Sequence, residues 1–167
     1  VADGLFSSQE EIDNHATQLV GGTPMVGDIK YRDLNGDGVI NSDDQCVISD
    51  YGTTPRIQYG VGLNLRWRKW DLGLFFNGSG MRTQMLNRYS AMDPFGADLH
   101  NLTQFVADNY WSEENPNPHA KYPRLGTNAN DISNNTGVWS TYWMRNARFL
   151  RFKTLEVGYT FKYGRIY

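Results

Sequence analysis

The sequence is 167 residues long and is short of the residues that make chemistry easy to locate. It has one cysteine, three histidines and six prolines, and its 16 Lys+Arg nearly cancel its 18 Asp+Glu. A single cysteine excludes an internal disulfide and leaves Cys46 to be read as a small packing residue. His15, His100 and His119 are isolated, with no HxxxH or HExxH spacing, which argues against a zinc site. No basic stripe accompanies the net charge of −2, so no nucleic-acid partner is expected. No apolar run approaches the roughly 20 residues of a membrane-spanning helix. That absence excludes helical spans only, because barrel strands are short and alternate in polarity. Phosphate-binding glycine loops are absent, and Ser79 lacks a GxSxG frame. Glu10-Glu11 and Glu113-Glu114 read as solvated pairs. With no catalytic constellation, the chain is not read as an enzyme. Val1 to Phe6 show neither a basic n-region nor an apolar h-region.

Aromatic residues are plentiful, at 14% of the chain. Many fall in strict alternation. Ile57, Tyr59, Val61, Leu63, Leu65 and Trp67 share one face, with Gln58, Gly60, Gly62, Asn64 and Arg66 on the other, which is the period of a strand. Arg68-Lys69 reads as a tight turn. Trp70, Leu72, Leu74 and Phe76 then alternate with Asp71, Gly73, Phe75 and Asn77, completing a β-hairpin. Leu155, Val157, Tyr159 and Phe161 repeat the pattern near the end. The expected strands cover about 57–67, 70–78 and 149–161, and Gly164 to Tyr167 look like a turn opening another. Runs of about 10 residues exceed the usual 5–6 of soluble strands. Trp67 and Trp70 sit together at the turn as an interfacial girdle would. A soluble sheet with one wet face fits the alternation as well.

Between these strands, about 81–144 reads as a long loop, a length that is usually functional where it occurs. Leu99, Leu102, Phe105, Val106 and Tyr110 predict a helix over 98–111 capped by Asp98. The prolines after Ser112 and the Asn-rich stretch around 128–140 predict extended loop. Residues 1–26 predict an irregular or short helical lead-in, with Ser7 or Ser8 as cap and Glu10 and Glu11 in the first turn.

Residues 33–44 fit a twelve-position calcium loop. Asp33, Asn35 and Asp37 stand at positions 1, 3 and 5, Gly38 at the sharp turn, the Val39 carbonyl at 7, Asn41 at 9 and Asp44 at 12. Such a loop wraps alternate oxygens around one point, as a hard cation wants. Asp44 in place of Glu at position 12 resembles loops of dockerin modules, but a dockerin needs a second copy, which is absent, and no long amphipathic helix flanks the loop as in an EF-hand. An Asx-rich turn without metal is the alternative. Tyr110-Trp111 and Trp139 to Trp143 are candidate ligand or partner contacts. Tyr110, Trp111, Trp139 and Trp143 offer aromatic planes suited to the CH faces of sugars, or they anchor the loop.

Several segments together resemble the SusC/RagA family of TonB-linked outer-membrane transporters of Bacteroidetes. They are D-x-N-G-D-G-x-I at 33–40, W-x-x-E-N-P-N-x-x-x-x-Y-P-R-L at 111–125, and L-R-x-K-x-x-x-x-G-Y-T at 150–160. The resemblance covers about 27–167. It implies a mainly β fold: antiparallel hairpin strands of an incomplete transmembrane β-barrel, with a long, partly helical extracellular loop. It further implies a cell outer-membrane location, outer-membrane lipid around the strands, and a SusD-like surface lipoprotein as lid. TonB would be engaged through parts of the transporter outside this stretch, and the cargo would be an oligosaccharide or peptide nutrient. A few strands cannot close a barrel, so this stretch alone is not expected to transport. The competing reading is a soluble, calcium-stabilised carbohydrate-binding β-module. The two differ in whether the apolar strand face is covered.

Overall fold

The computed structural model describes residues 1–86, 103–126 and 133–161. The fold is mainly β. In chain order its elements are β1 (Ala2–Leu5), α1 (Gln9–Asp13), β2 (Thr17–Gln18), β3 (Ile29–Tyr31), β4 (Val39–Ile40), β5 (Ile57–Trp67), β6 (Trp70–Gly80), β7 (Thr83–Met85), α2 (Gln104–Ala107), α3 (Ser133–Thr136), β8 (Met144–Asn146) and β9 (Phe149–Tyr159). A 3₁₀ turn covers Ser42–Asp44. Two compact units result: 1–50 with 85–145, and 51–84 with 146–167. β7 and β8 form a separate two-stranded ladder.

The second unit is a three-stranded antiparallel sheet in the order β5-β6-β9. The hairpin register pairs Trp67 with Trp70 and Ile57 with Gly80, so every residue of β5 has a partner on β6. β6 runs two residues beyond the expected 78. β9 stops at Tyr159 and carries a break in register. Phe75 faces Thr154 while Phe76 faces Phe152, which leaves Lys153 as an extra, unpaired residue. The bulge moves Leu150 and Phe152 onto the same face as Leu155, Val157 and Tyr159.

The first unit owns the core. Leu5, Phe6, Ile29, Tyr31, Ile40, Val106, Trp111, Tyr122 and Trp143 are all buried. β1 pairs with β3 antiparallel, and β2 pairs with β4 in parallel. The Gln18 side chain joins the two ladders, accepting from the Tyr31 N–H (3.1 Å) and donating to the Ile29 carbonyl (3.3 Å). In α1, Ser8 caps the helix by accepting the Glu11 N–H at 3.2 Å. Burial pushes the Glu11 carboxyl up, but bonds from Lys30 and Ser7 outweigh it and hold the pKa at about 2. At Gly27, φ is +88° and an added Cβ would sit 2.2 Å from Trp111 Cε3, so only glycine fits beneath that ring.

Of the expected helix over 98–111, the described part is helical only at α2. Asp98, Leu99 and Leu102 lie outside the described residues, and the helix seen is the single turn α2. It ends because the next backbone has other partners: Trp111 N–H donates to Tyr122 O (3.0 Å) and Tyr122 N–H to Asn109 O (3.3 Å). Part of the Asn-rich stretch is the helical turn α3 rather than loop, with Asn134 and Asn135 buried. Cys46 is exposed, not packed. The turn and strand expected at 164–167 lie outside the described residues.

Candidate functional site

The register of the sheet aligns side chains into rows. On one face the rows are Tyr59-Gly78-Leu150, Val61-Phe76-Phe152, Leu63-Leu74-Leu155, Leu65-Leu72-Val157 and Trp67-Trp70-Tyr159. None of the apolar side chains in these rows is buried, and Val61, Val157 and Trp67 are more than 60% exposed. The opposite face carries Arg66-Asp71-Gly158, Asn64-Gly73-Glu156, Gly62-Phe75-Thr154 and Gly60-Asn77-Arg151. Arg66 and Asp71 are ion-paired there. The ends of the apolar face are aromatic. Trp70 meets Tyr159 edge-on at 4.8 Å, and Tyr159 meets Phe161 at 4.8 Å. Towards the other end Phe76 lies 5.0 Å from Phe152. Tyr59 lies over Gly78 and donates to the Phe149 carbonyl at 2.9 Å.

Strand length suits the same geometry. Eleven residues at about 3.3 Å each span roughly 36 Å, which at a tilt of about 45° covers about 25 Å, the height of a barrel's apolar band. No helix among the described residues is long and apolar enough to cross a membrane, a fact that has no bearing on strands.

In the 33–44 loop every expected side-chain ligand is engaged with the loop's own donors. Asp33 accepts the Gly36 and Gly38 N–H groups at 2.7 and 2.9 Å. Asp37 accepts from Val39 N–H (2.8 Å) and from Asn35 Nδ2 (3.0 Å), while Asn35 Oδ1 accepts the Asp37 N–H at 3.0 Å. Asn41 Oδ1 accepts the Asp43 N–H. Asp44 closes the loop, accepting N–H bonds from Leu34 (2.7 Å) and Asn41 (2.9 Å). The Asn41 and Leu34 N–H groups hold the Asp44 carboxyl below the usual carboxylate range. The donor set is all oxygen, which matches the chemistry of calcium. Among the described residues no three His, Cys, Asp or Glu side chains converge, and each carboxylate spends at least part of its lone pairs inside the loop. Within the loop, Val39 and Ile40 form β4.

The four aromatic candidates separate by burial. Trp143 is 1% exposed, and its Nε1 donates to the Asn135 carbonyl at 2.6 Å. Trp111 is also in the core, over Gly27. Both rings therefore hold this unit together. Tyr110 is half-buried, and Trp139 is 69% exposed. Trp139 borders a cleft of about 630 Å³ that Asn41, Asp44 and Gln45 also line.

One cluster escaped the sequence reading. Asp28 is 0% exposed and is paired with Arg124, Nε to Oδ1, at 2.6 Å. It also accepts from Met25 N–H (2.9 Å), Asn135 Nδ2 (2.9 Å) and Asn134 Nδ2 (3.3 Å). Asn135 Oδ1 in turn accepts the Ile29 N–H at 2.9 Å, and Tyr31 Oη donates to the Asn134 carbonyl at 2.6 Å. Burial raises the Tyr31 phenol strongly. Three distant segments meet at one carboxylate. The partners lie about a hundred positions away, and no local spacing marks them.

No family model matches the sequence. Over 162 residues, 93% of the chain, it is 31% identical to TonB-dependent receptor P26 of Formosa agariphila. Over 143 residues, 86% of the chain, it is 28% identical to TonB-dependent receptor P3 of the same organism. The matches support the TonB-dependent receptor family. The chain spans 14% and 13% of the length of these two relatives. TonB-dependent receptors are outer-membrane transporters rather than enzymes.

Proposed function

We propose that this chain is part of the barrel wall and loops of a SusC/RagA-type transporter in the outer membrane. The parent transporter imports oligosaccharides or other nutrients, peptides included, with a SusD-like lipoprotein as lid and TonB as energy source. The observation that carries the reading is the apolar face of β5, β6 and β9, which no described element covers, which ends on the aromatic row Trp67-Trp70-Tyr159 and which is backed by a polar face. A soluble carbohydrate-binding module would cover that face with a second sheet, and no described element does so. The named relatives and the three sequence segments point the same way. Short turns of bacterial barrels are periplasmic and long loops extracellular, so the Arg68-Lys69 turn is assigned to the periplasmic side. Tyr110 and Trp139, the two aromatic candidates outside the core, are the residues proposed to meet nutrient or lid.

The test is thiol labelling in the full-length receptor in intact outer membranes. A cysteine at Leu63 is expected to resist a water-soluble maleimide, and a cysteine at its neighbour Asn64 to react. Equal labelling of both removes the barrel reading. Co-purification of a SusD-like lipoprotein, and loss of growth on one glycan or peptide class when the receptor gene is deleted, address partner and cargo.

For the 33–44 loop the proposal is a calcium ion held by Asp33, Asn35, Asp37, Asn41, Asp44 and the Val39 carbonyl. Support comes from the spacing and the all-oxygen donor set. Binding requires these oxygens to turn from the loop N–H groups towards a common centre. Calcium is expected to raise the melting temperature of the receptor, and a chelator to reverse the rise. A melt indifferent to both assigns the loop as a self-capped turn.

A further inference from the structure

We propose that the tip of the β5–β6 hairpin, Arg68-Lys69, binds the phosphate of an anionic phospholipid headgroup. The proposal rests on the barrel reading and adds a lipid contact to it. Arg68 adopts φ of +57°, in the left-handed region where the first residue of a two-residue hairpin turn is ordinarily glycine or asparagine. A bulky side chain there is strained, and the strain calls for a compensating interaction. The fold supplies little. Arg68 and Lys69 are exposed, and neither is ion-paired among the described residues. Their cations lie against the aromatic row instead: the Arg68 guanidinium stands 4.9 Å from the Trp67 ring centre, and Lys69 Nζ stands 5.8 Å from that of Tyr159. The Lys69 carbonyl accepts the Thr160 N–H at 2.8 Å, tying the turn to the end of β9.

The neighbouring charges do not satisfy the tip. Arg66 and Asp71 face the polar side and pair with each other. Two uncompensated cations therefore stand just beyond the apolar band, at the level where aromatic belts meet headgroups. An arginine fork accommodates two phosphate oxygens, and a lysine beside it adds a point charge. Cationic side chains at a membrane surface favour anionic lipid over zwitterionic lipid.

The test uses the full-length receptor in phosphatidylcholine vesicles with and without phosphatidylglycerol, with retained lipid counted by native mass spectrometry. R68N/K69N is expected to lower the preference for phosphatidylglycerol by about fivefold per charge removed. R68K should keep most of it. Asparagine suits a left-handed φ, so R68N alone is expected to leave the hairpin as stable as before or more so. An unchanged preference in R68N/K69N overturns the proposal. Displacement of phosphatidylglycerol by equal inorganic phosphate overturns it too, by reducing the tip to a free-anion site. A receptor that enters the vesicles without any lipid preference sinks this proposal alone, whereas one that never enters them sinks the barrel reading as well.

Discussion

Replacing Asp28 with alanine is expected to destabilise the first unit by about 3–5 kcal/mol, the usual result of removing one partner of a buried ion pair. The carboxylate has no exposure and accepts from Arg124, Met25, Asn134 and Asn135. Its removal takes a shared acceptor from the largely buried Arg124 guanidinium and from the Asn134 and Asn135 amides. Urea unfolding of the detergent-solubilised receptor, followed by the fluorescence of Trp111 and Trp143, measures the loss. Replacing Asp28 and Arg124 together with leucine and methionine should cost less than the Asp28 change alone, because no charge is then left unpaired. A loss below about 1 kcal/mol for Asp28→Ala would be that of an ordinary surface site, and would remove the cluster as the clamp between segments.

The second large effect concerns the sheet. Leu63→Arg is expected to cost about 2–4 kcal/mol when the receptor folds into a bilayer, as for a cation near the midplane of a lipid-facing strand. Leu63 occupies the central row with Leu74 and Leu155. Asn64→Arg, one residue on, should change stability by no more than about 0.5 kcal/mol, because its face meets water. Reversible unfolding from vesicles compares the two. Equal costs would mean that the two faces do not see different solvents, and the transporter reading would not survive that result.

The alternation that supports this contrast was legible because strand side chains change face at every residue. β5 and most of β6 follow from it directly, and so does the place of the turn between Trp67 and Trp70. The strand at 149–161 was expected too, but its apolar face follows only from Leu155 onward. Leu150 and Phe152 have the wrong parity for the shared face until Lys153 is skipped, and a bulge leaves no periodic signal in its own strand. The first unit was less legible still. Its core is assembled from short pieces, several of two to five residues, too short for any period to emerge. The helix expected at 98–111 had the right apolar spacing. Backbone bonds between Asn109–Trp111 and Tyr122 nonetheless end α2 at Ala107, since a local preference yields to a pairing partner elsewhere in the chain.

For the site, the sequence named the 33–44 loop, whose chemistry depends on residues within a dozen positions. It also named four aromatic residues, without deciding between ligand contact and anchoring. Tertiary structure placed Trp111 and Trp143 in the core and left Trp139 open, because burial depends on segments remote in the chain. The sequence by itself determined that these 167 residues hold no internal disulfide pair and no long apolar run, and it determined the hairpin with its two unlike faces and the oxygen-rich loop. These rest on composition and on local geometry. Only the tertiary structure decided that no described element covers the apolar face, that Lys153 resets the register of β9, and that Asp28 and Arg124 form a buried pair. Those depend on which distant residues meet, and the physical rules that govern a single strand or turn carry no information about that.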